Sequence, residues 1–162
     1  MSTVLGIDIG VTGAISAIDV QGNARIEDLP TVAVPGARMV KRKLSAQELI
    51  WLVRALVPAD GKAVAFIEAV HSMPGDSGPS GFSLGESFGT VKAVLDIARI
   101  EVRQVQPGTW KRWYSLTGKK KDASLYTART LFPALTDRLK LQKHHNRAES
   151  LLIAHYGRRV EA

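Results

Sequence analysis

The chain has no cysteine, which excludes a disulfide framework and any thiolate chemistry and fits a reducing compartment. No apolar run approaches the ~20 residues that a membrane-spanning helix needs. The start carries no basic, apolar leader and enters a strand almost at once, so a cytoplasmic protein with no membrane partner is expected. Internal repeats, low-complexity blocks and linker-like stretches are also missing, and one domain over residues 1–162 is expected. Acidic residues are scarce in one part only. Residues 99–162 hold 14 Lys and Arg against 5 Asp and Glu, a net of +9, whereas residues 1–98 are slightly acidic at −2. Such a basic C-terminal part suggests a polyanionic partner.

What is present is an ordinary globular composition, 45% hydrophobic and 23% charged over 162 residues. Order and a real core are therefore expected. The opening "VLGIDIGVTGAISAI" (residues 4–18) places Asp8 inside an apolar run punctuated by Gly6, Gly10 and Gly13. It reads as a strand over Val4–Ile9, a glycine-marked turn and a second strand. A carboxylate there either caps the turn or meets a cation: a basic side chain, a metal ion or the Mg²⁺ of a nucleotide. The glycines beside it permit close approach of a neighbouring turn or of a ligand backbone.

Residues 13–20 and 23–29 alternate as strands around the turn Gln21-Gly22-Asn23, completing an antiparallel meander. Pro30–Lys43 reads as a connection ending in a basic cluster. Ser45, with Glu48 three residues on, opens a helix carrying Leu49, Leu52, Val53 and Leu56 at helical spacing. Lys62–Val70 is a buried strand that again ends in a carboxylate, Glu68. His71–Gly81 is rich in Gly, Pro and Ser and reads as a loop. Phe82–Arg99 reads as a helix whose small residues Gly85, Gly89 and Ala93 allow close approach by a strand, a helix or a second subunit, most simply in the core. A short strand at 101–105, a helical segment from Pro107 whose Trp110 and Trp113 read as core anchors before base-stacking platforms, a basic loop leading into a helix, and a terminal helix complete the chain. This order is α/β, a mixed sheet with helices on both faces.

Asp8 and Glu68 both end runs that form central strands, so their carboxylates fall side by side and need a cation to stay ionised. Glu149 is the third acid. On a helix it shares a face with His145 and Asn146, four and three residues earlier. Its alternatives are a solvated helix position or a salt bridge to Arg147 or Lys143. Oxygen donors on rigid elements suit Mg²⁺, and two ions a few ångströms apart can drive in-line displacement at a phosphodiester.

The segments "GIDIGVTG", "FIEAV", "FSLGESFGTVKAVL", "RQVQPGTWKRWYSLTGKKKDASLYTARTLFP" and "NRAESLLIAHYGRR" together resemble the RuvC family of Holliday-junction resolvases, in the RNase H-like superfamily, and more closely its phage-type branch. The resemblance implies an RNase H-like fold with a five-stranded sheet, an antiparallel meander followed by parallel strands. It implies a homodimer that nicks branched DNA with Mg²⁺ or Mn²⁺, two ions per site and no small-molecule cofactor, in a bacterial cytoplasm or in that of a phage host. Asp8, Glu68 and Glu149 match the family's catalytic carboxylates. Where members carry a further acid or a histidine, this chain has His145 and Asn146. His145 is expected to join the catalytic and metal-binding set, with Asn146 as a further ligand and His144 as the substitute for His145. A nitrogen ligand shifts preference toward Mn²⁺.

Lys111, Arg112, Lys119, Lys120 and Lys121 match the family's DNA-facing region, and phosphate contacts of this kind give affinity with little sequence preference. His71 and Met73, in the loop after Glu68, are expected to press into the junction centre. Three other readings stay open. "DIGVTG" also resembles the phosphate turn of sugar kinases and actin-like ATPases, although no second phosphate turn follows. The chain fits a nuclease of forks, flaps or RNA–DNA hybrids as well. It also fits a junction-binding module whose altered ligand set no longer cuts.

Overall fold

The computed structural model describes residues 2–36, 41–59, 61–70 and 78–161. His71 and Met73 lie outside the described residues. β1 (Thr3–Asp8), β2 (Ala14–Ile18) and β3 (Ala24–Asp28) form the expected meander. A short hairpin follows, β4 (Thr31–Ala33) paired with β5 (Arg42–Leu44), as a separate two-stranded sheet. The sequence predicts only a connection there. These strands are three residues each and the segment carries Pro and Gly, so no alternation reveals them.

α1 (Ala46–Leu56) begins as expected, with the Ser45 hydroxyl accepting from the Glu48 amide at 3.2 Å. β6 (Ala63–Glu68) leads to α2 (Gly78–Ile97), and β7 (Glu101–Val105) to α3 (Pro107–Trp113). α2 starts inside the segment read as a loop to Gly81. Pro79 suits the first turn of a helix, where its missing N–H has no intrahelical partner to lose. α4 (Lys121–Leu131), two 3₁₀ segments at Pro133–Leu139 and Gln142–His144, and α5 (His145–Glu161) end the chain.

The main sheet runs β3-β2-β1-β6-β7, antiparallel across the meander and parallel from β1 through β6 to β7. Alternation along each strand feeds two cores. Leu5, Ile7, Ile15, Ala65 and Ile67 pack toward α1 and α2; Val4, Ile18, Ile26, Val64 and Phe66 pack toward α3, α4 and α5. The even positions of β1 and β6 thus face α5, and Asp8 and Glu68 follow Val4 and Phe66 onto that side.

Gly6 lets α5 approach. A Cβ there would lie 2.2 Å from both the Ala154 nitrogen and the Ser150 oxygen, so the close neighbour of this glycine is a helix, not a turn or a ligand. At Gly13 a Cβ would meet the Asp8 carbonyl oxygen at 2.1 Å, which is the tight turn expected. Beside Gly6, the Ser16 and Ser150 hydroxyls share a buried 2.7 Å hydrogen bond.

Two packing expectations are corrected. Gly85, Gly89 and Ala93 lie on the exposed side of α2, beside Phe82 (76% exposed) and Ile97 (67%), while Ser87, Val91, Val94 and Leu95 face the core. Trp110 is fully buried, but Trp113 is 56% exposed and meets Tyr156 edge-on at 5.6 Å. Trp113 is the last residue of α3, at the edge of the packed face, where it lies against α5 and not inside the core.

Candidate active site

One row crosses the sheet at the C-terminal ends of its parallel strands. Asp28 is opposite Ala14, Ala14 is opposite Asp8, and Glu68 is opposite Val105. Ile7 pairs with Ile67, so Asp8 and Glu68 follow one residue on along neighbouring strands. Above this row stands the first turn of α5.

Asp8 is common to two hollows. The first, about 370 Å³, is lined by Asp8, His145, Asn146 and Glu149 together with Lys111, Lys119, Lys120 and Lys121. The second, about 310 Å³, is lined by Asp8 and Glu68 with Leu84 and Pro107. Eight of the residues singled out in the sequence therefore meet around one space, and Glu68 joins them through Asp8. Arg112 is exposed on α3 and does not line the first hollow. His144 lines a different one, with Thr12, Asp28 and Arg147.

No protein-family model matches the chain. The chloroplastic Holliday junction resolvase MOC1 of Chlamydomonas reinhardtii is 35% identical over 127 residues, covering 75% of this chain and 14% of that protein. The chain thus spans about a seventh of the length of that relative. RuvC of T. thermophilus, solved in complex with a Holliday junction substrate, matches with a TM-score of 0.58 at 12% identity, covering 98% of this chain and 96% of that one. The fowlpox virus Holliday junction resolvase matches with a TM-score of 0.55, also at 12% identity, over 99% of each chain.

The fold of the chain is RuvC-like. Its mixed five-stranded sheet with helices on both faces is the fold of these resolvases. Among the described residues, no helix is long and apolar enough to cross a membrane.

The electrostatics of the site are those of a buried acid cluster whose lysine neighbours do not offset its desolvation. Burial pushes the Asp8 carboxyl from its usual 3.8 up to about 8; Glu149 and then Glu68 push the same way, against Lys111 and Lys121. Burial raises Glu68 as well, opposed by a hydrogen bond from the Trp110 indole and by Lys111. Glu149 does not pair with Arg147 or Lys143. Its nearest cation is Lys111, with Nζ 3.8 Å from Oε2, and the Ser124 hydroxyl donates to Oε1 at 3.3 Å.

Among the described residues, no three His, Asp or Glu side chains stand gathered as a ready coordination shell. The donor chemistry still fits a hard divalent cation: three carboxylates on rigid elements, one of them raised well above its usual range by burial and by the other two. His145 sits in the same hollow, but its Nε2 lies 3.2 Å from Lys121 Nζ and its Nδ1 lies 3.3 Å from the Gln142 carbonyl oxygen. Asn146 is turned away from the acids. Its amide donates to the Thr12 carbonyl at 2.6 Å and to the Thr12 hydroxyl at 3.2 Å, tying α5 to the β1–β2 turn.

Sequence reasoning missed Trp110 and Ser124 as partners of the carboxylates. For Trp110 a signal existed: a buried indole N–H needs an acceptor, and a strand-end Glu is one candidate. Ser124 carries no such signal.

Proposed function

We propose that this chain is a divalent-metal-dependent, structure-selective endonuclease that nicks four-way junctions and related branched DNA. The observation that carries the reading is Asp8, a buried carboxylate shared by two hollows, flanked by Glu68 and Glu149 and rimmed by lysines. An acid so placed is costly to keep ionised unless a further cation arrives with the substrate. The junction as substrate is taken from the matched relative, named a Holliday junction resolvase.

Asp8, Glu68, Glu149 and His145 would be the residues that hold the metal. Mg²⁺ or Mn²⁺, when bound, supplies a polarised water and a counter-charge for the leaving oxygen. Lys111, beside Glu149, is placed to meet negative charge on the scissile phosphate. Lys119, Lys120 and Lys121 would hold the phosphate backbone at the rim. Hydrolysis adds water across one P–O bond and leaves a phosphate and a hydroxyl at the nick. A second copy of the chain would present a second site, and the exposed side of α2 (Phe82, Gly85, Gly89, Ala93 and Ile97) offers it a face.

A second reading has its own support. His145 is engaged by Lys121 and Asn146 by Thr12, which favours a junction-binding module that does not cut.

The test is cleavage of a labelled four-way junction, beside duplex, fork and RNA–DNA hybrid, in Mg²⁺ and in Mn²⁺, by wild type and Asp8→Asn. Paired nicks in the junction, lost in Asp8→Asn, are expected. Tight junction binding without nicks in either metal would establish the binding module. Preference for fork or hybrid would move the substrate class.

A further inference from the structure

Trp110 connects the two acidic hollows, although it lines neither of them. α3 begins two residues after β7 ends at Val105, and Val105 lies opposite Glu68. One turn into α3, the fully buried indole comes back over that strand end. Its Nε1 donates to Glu68 Oε2 at 2.8 Å, a normal and well-formed hydrogen bond. The ring also lies 5.1 Å below Lys111 Nζ, within cation–π range, and the same ammonium is the cation nearest Glu149. One side chain thus restrains Glu68 through its N–H edge and Lys111 through its π face.

Resting on the nuclease reading above, we infer that Trp110 is the positioning residue of this site: its indole N–H holds the Glu68 carboxylate by one oxygen and leaves Oε1 as the donor for a divalent cation. Three observations on the chain support this. The indole is donor-only and completely buried, so its N–H requires an acceptor. A Glu side chain has three rotatable bonds, and an unrestrained one would have to be ordered whenever an ion binds. The corresponding restraint on Glu149, from Ser124 at 3.3 Å, is longer, so Glu68 is the more firmly held of the two. Trp110 lines neither hollow and acts on the metal site through Glu68.

The experiment replaces Trp110 by 3-benzothienylalanine, which keeps the bicyclic shape and loses only the N–H, and in parallel makes Trp110→Phe. Mn²⁺ uptake by the DNA-free protein is read by calorimetry, junction binding is read without metal, and thermal unfolding is followed for each. The expected result is Mn²⁺ affinity weaker by about 10- to 100-fold in both variants, with metal-free junction binding retained and the isostere as stable as wild type. Unchanged Mn²⁺ affinity in the isostere would overturn the inference and leave Trp110 as a packing residue, even if Trp110→Phe unfolds early. Asp8→Asn separates this from the larger reading. If that variant loses Mn²⁺ while the isostere keeps it, only the role of Trp110 fails. If wild type and Asp8→Asn take up Mn²⁺ alike, the metal site fails, and Trp110 with it. A second readout needs no metal. In a Trp51→Phe/Trp113→Phe background Trp110 is the sole indole of the three, and its N–H resonance should move upfield on Glu68→Ala. A resonance that stays in place would show that the hydrogen bond is absent in solution.

Discussion

Asp28 and Asp8 stand in the same row of the sheet, two strands apart, and their situations are opposite. Asp28 ends β3 and receives both arms of the Arg147 guanidinium, Nε to Oδ1 and Nη2 to Oδ2, each at 2.6 Å. That hydrogen-bonded cation holds its carboxyl below the usual range. Asp8 ends β1, is more deeply buried, and has other carboxylates for neighbours, so its carboxyl is raised to about 8. A carboxylate at a strand end is therefore not a signature of chemistry. Where the chain supplies its own fitted cation, the acid pins α5 to the sheet. Where it does not, the acid is left able to take a cation from outside.

That contrast can be broken or sharpened. The largest effect is expected for Asp8→Asn on junction nicking. Loss of this carboxylate should remove about 4 kcal/mol of transition-state stabilisation, roughly 1000-fold in rate, with junction binding kept, as read by single-turnover cleavage beside a mobility-shift titration. Equal losses of binding and cleavage would make Asp8 a structural acid like Asp28.

The next effect is on stability. With its folded value near 8 and its unfolded value near 3.8, Asp8 holds a proton in the folded protein that the unfolded chain releases. Its contribution is present below about pH 4 and is lost as pH rises through about 8. Chelator-treated protein should therefore be less stable at pH 8 than at pH 5, with Asp8→Asn flattening that slope by on the order of 2 kcal/mol, measured by urea unfolding at both values. Added Mn²⁺ should restore part of the difference in wild type only.

Arg147→Ala tests the other acid. Asp28 is more than half exposed, and solvent screening keeps the expected loss to about 1 kcal/mol near neutral pH. Because Asp28 is lowered, the loss should fade as pH falls into the carboxylate range, the reverse of the Asp8 slope. Urea midpoints across pH 3–7 read it, and Mn²⁺ affinity should not change. The smallest effect belongs to the rim. Lys120→Ala should weaken junction binding about threefold and reduce the salt-dependence slope by about 0.9, with cleavage of bound junction unaltered.

Much of this organisation is legible in the residues. The period-2 alternation of "TVLGID" and "AVAFIE" sends Asp8 and Glu68 to one face, whatever packs there. The cap Ser45 and the turn at Gly22 mark local boundaries because their chemistry is local. What escaped depends on partners far along the chain. "ARIED" ends in an acid as "GID" does, and nothing within it tells that Arg147, 119 residues on, will neutralise it. Asn146 is an oxygen donor in composition, but Thr12 turns it aside. Gly85, Gly89 and Ala93 are small enough for close packing, yet Ser87, Val91 and Leu95 took the inner face of α2.

The sequence by itself determined the sheet and its crossovers, the strand ends on which Asp8 and Glu68 sit, and the basic character of the second half. Strand periodicity and turn chemistry act over a few residues, and charge is simply counted. Only the tertiary structure decided which acids lack a cation, which polar side chains are already engaged, and that a buried indole bridges Glu68 to Lys111. Those outcomes follow from desolvation and from distances of a few ångströms between residues tens of positions apart, and both exist only once α3 and α5 have closed over the sheet.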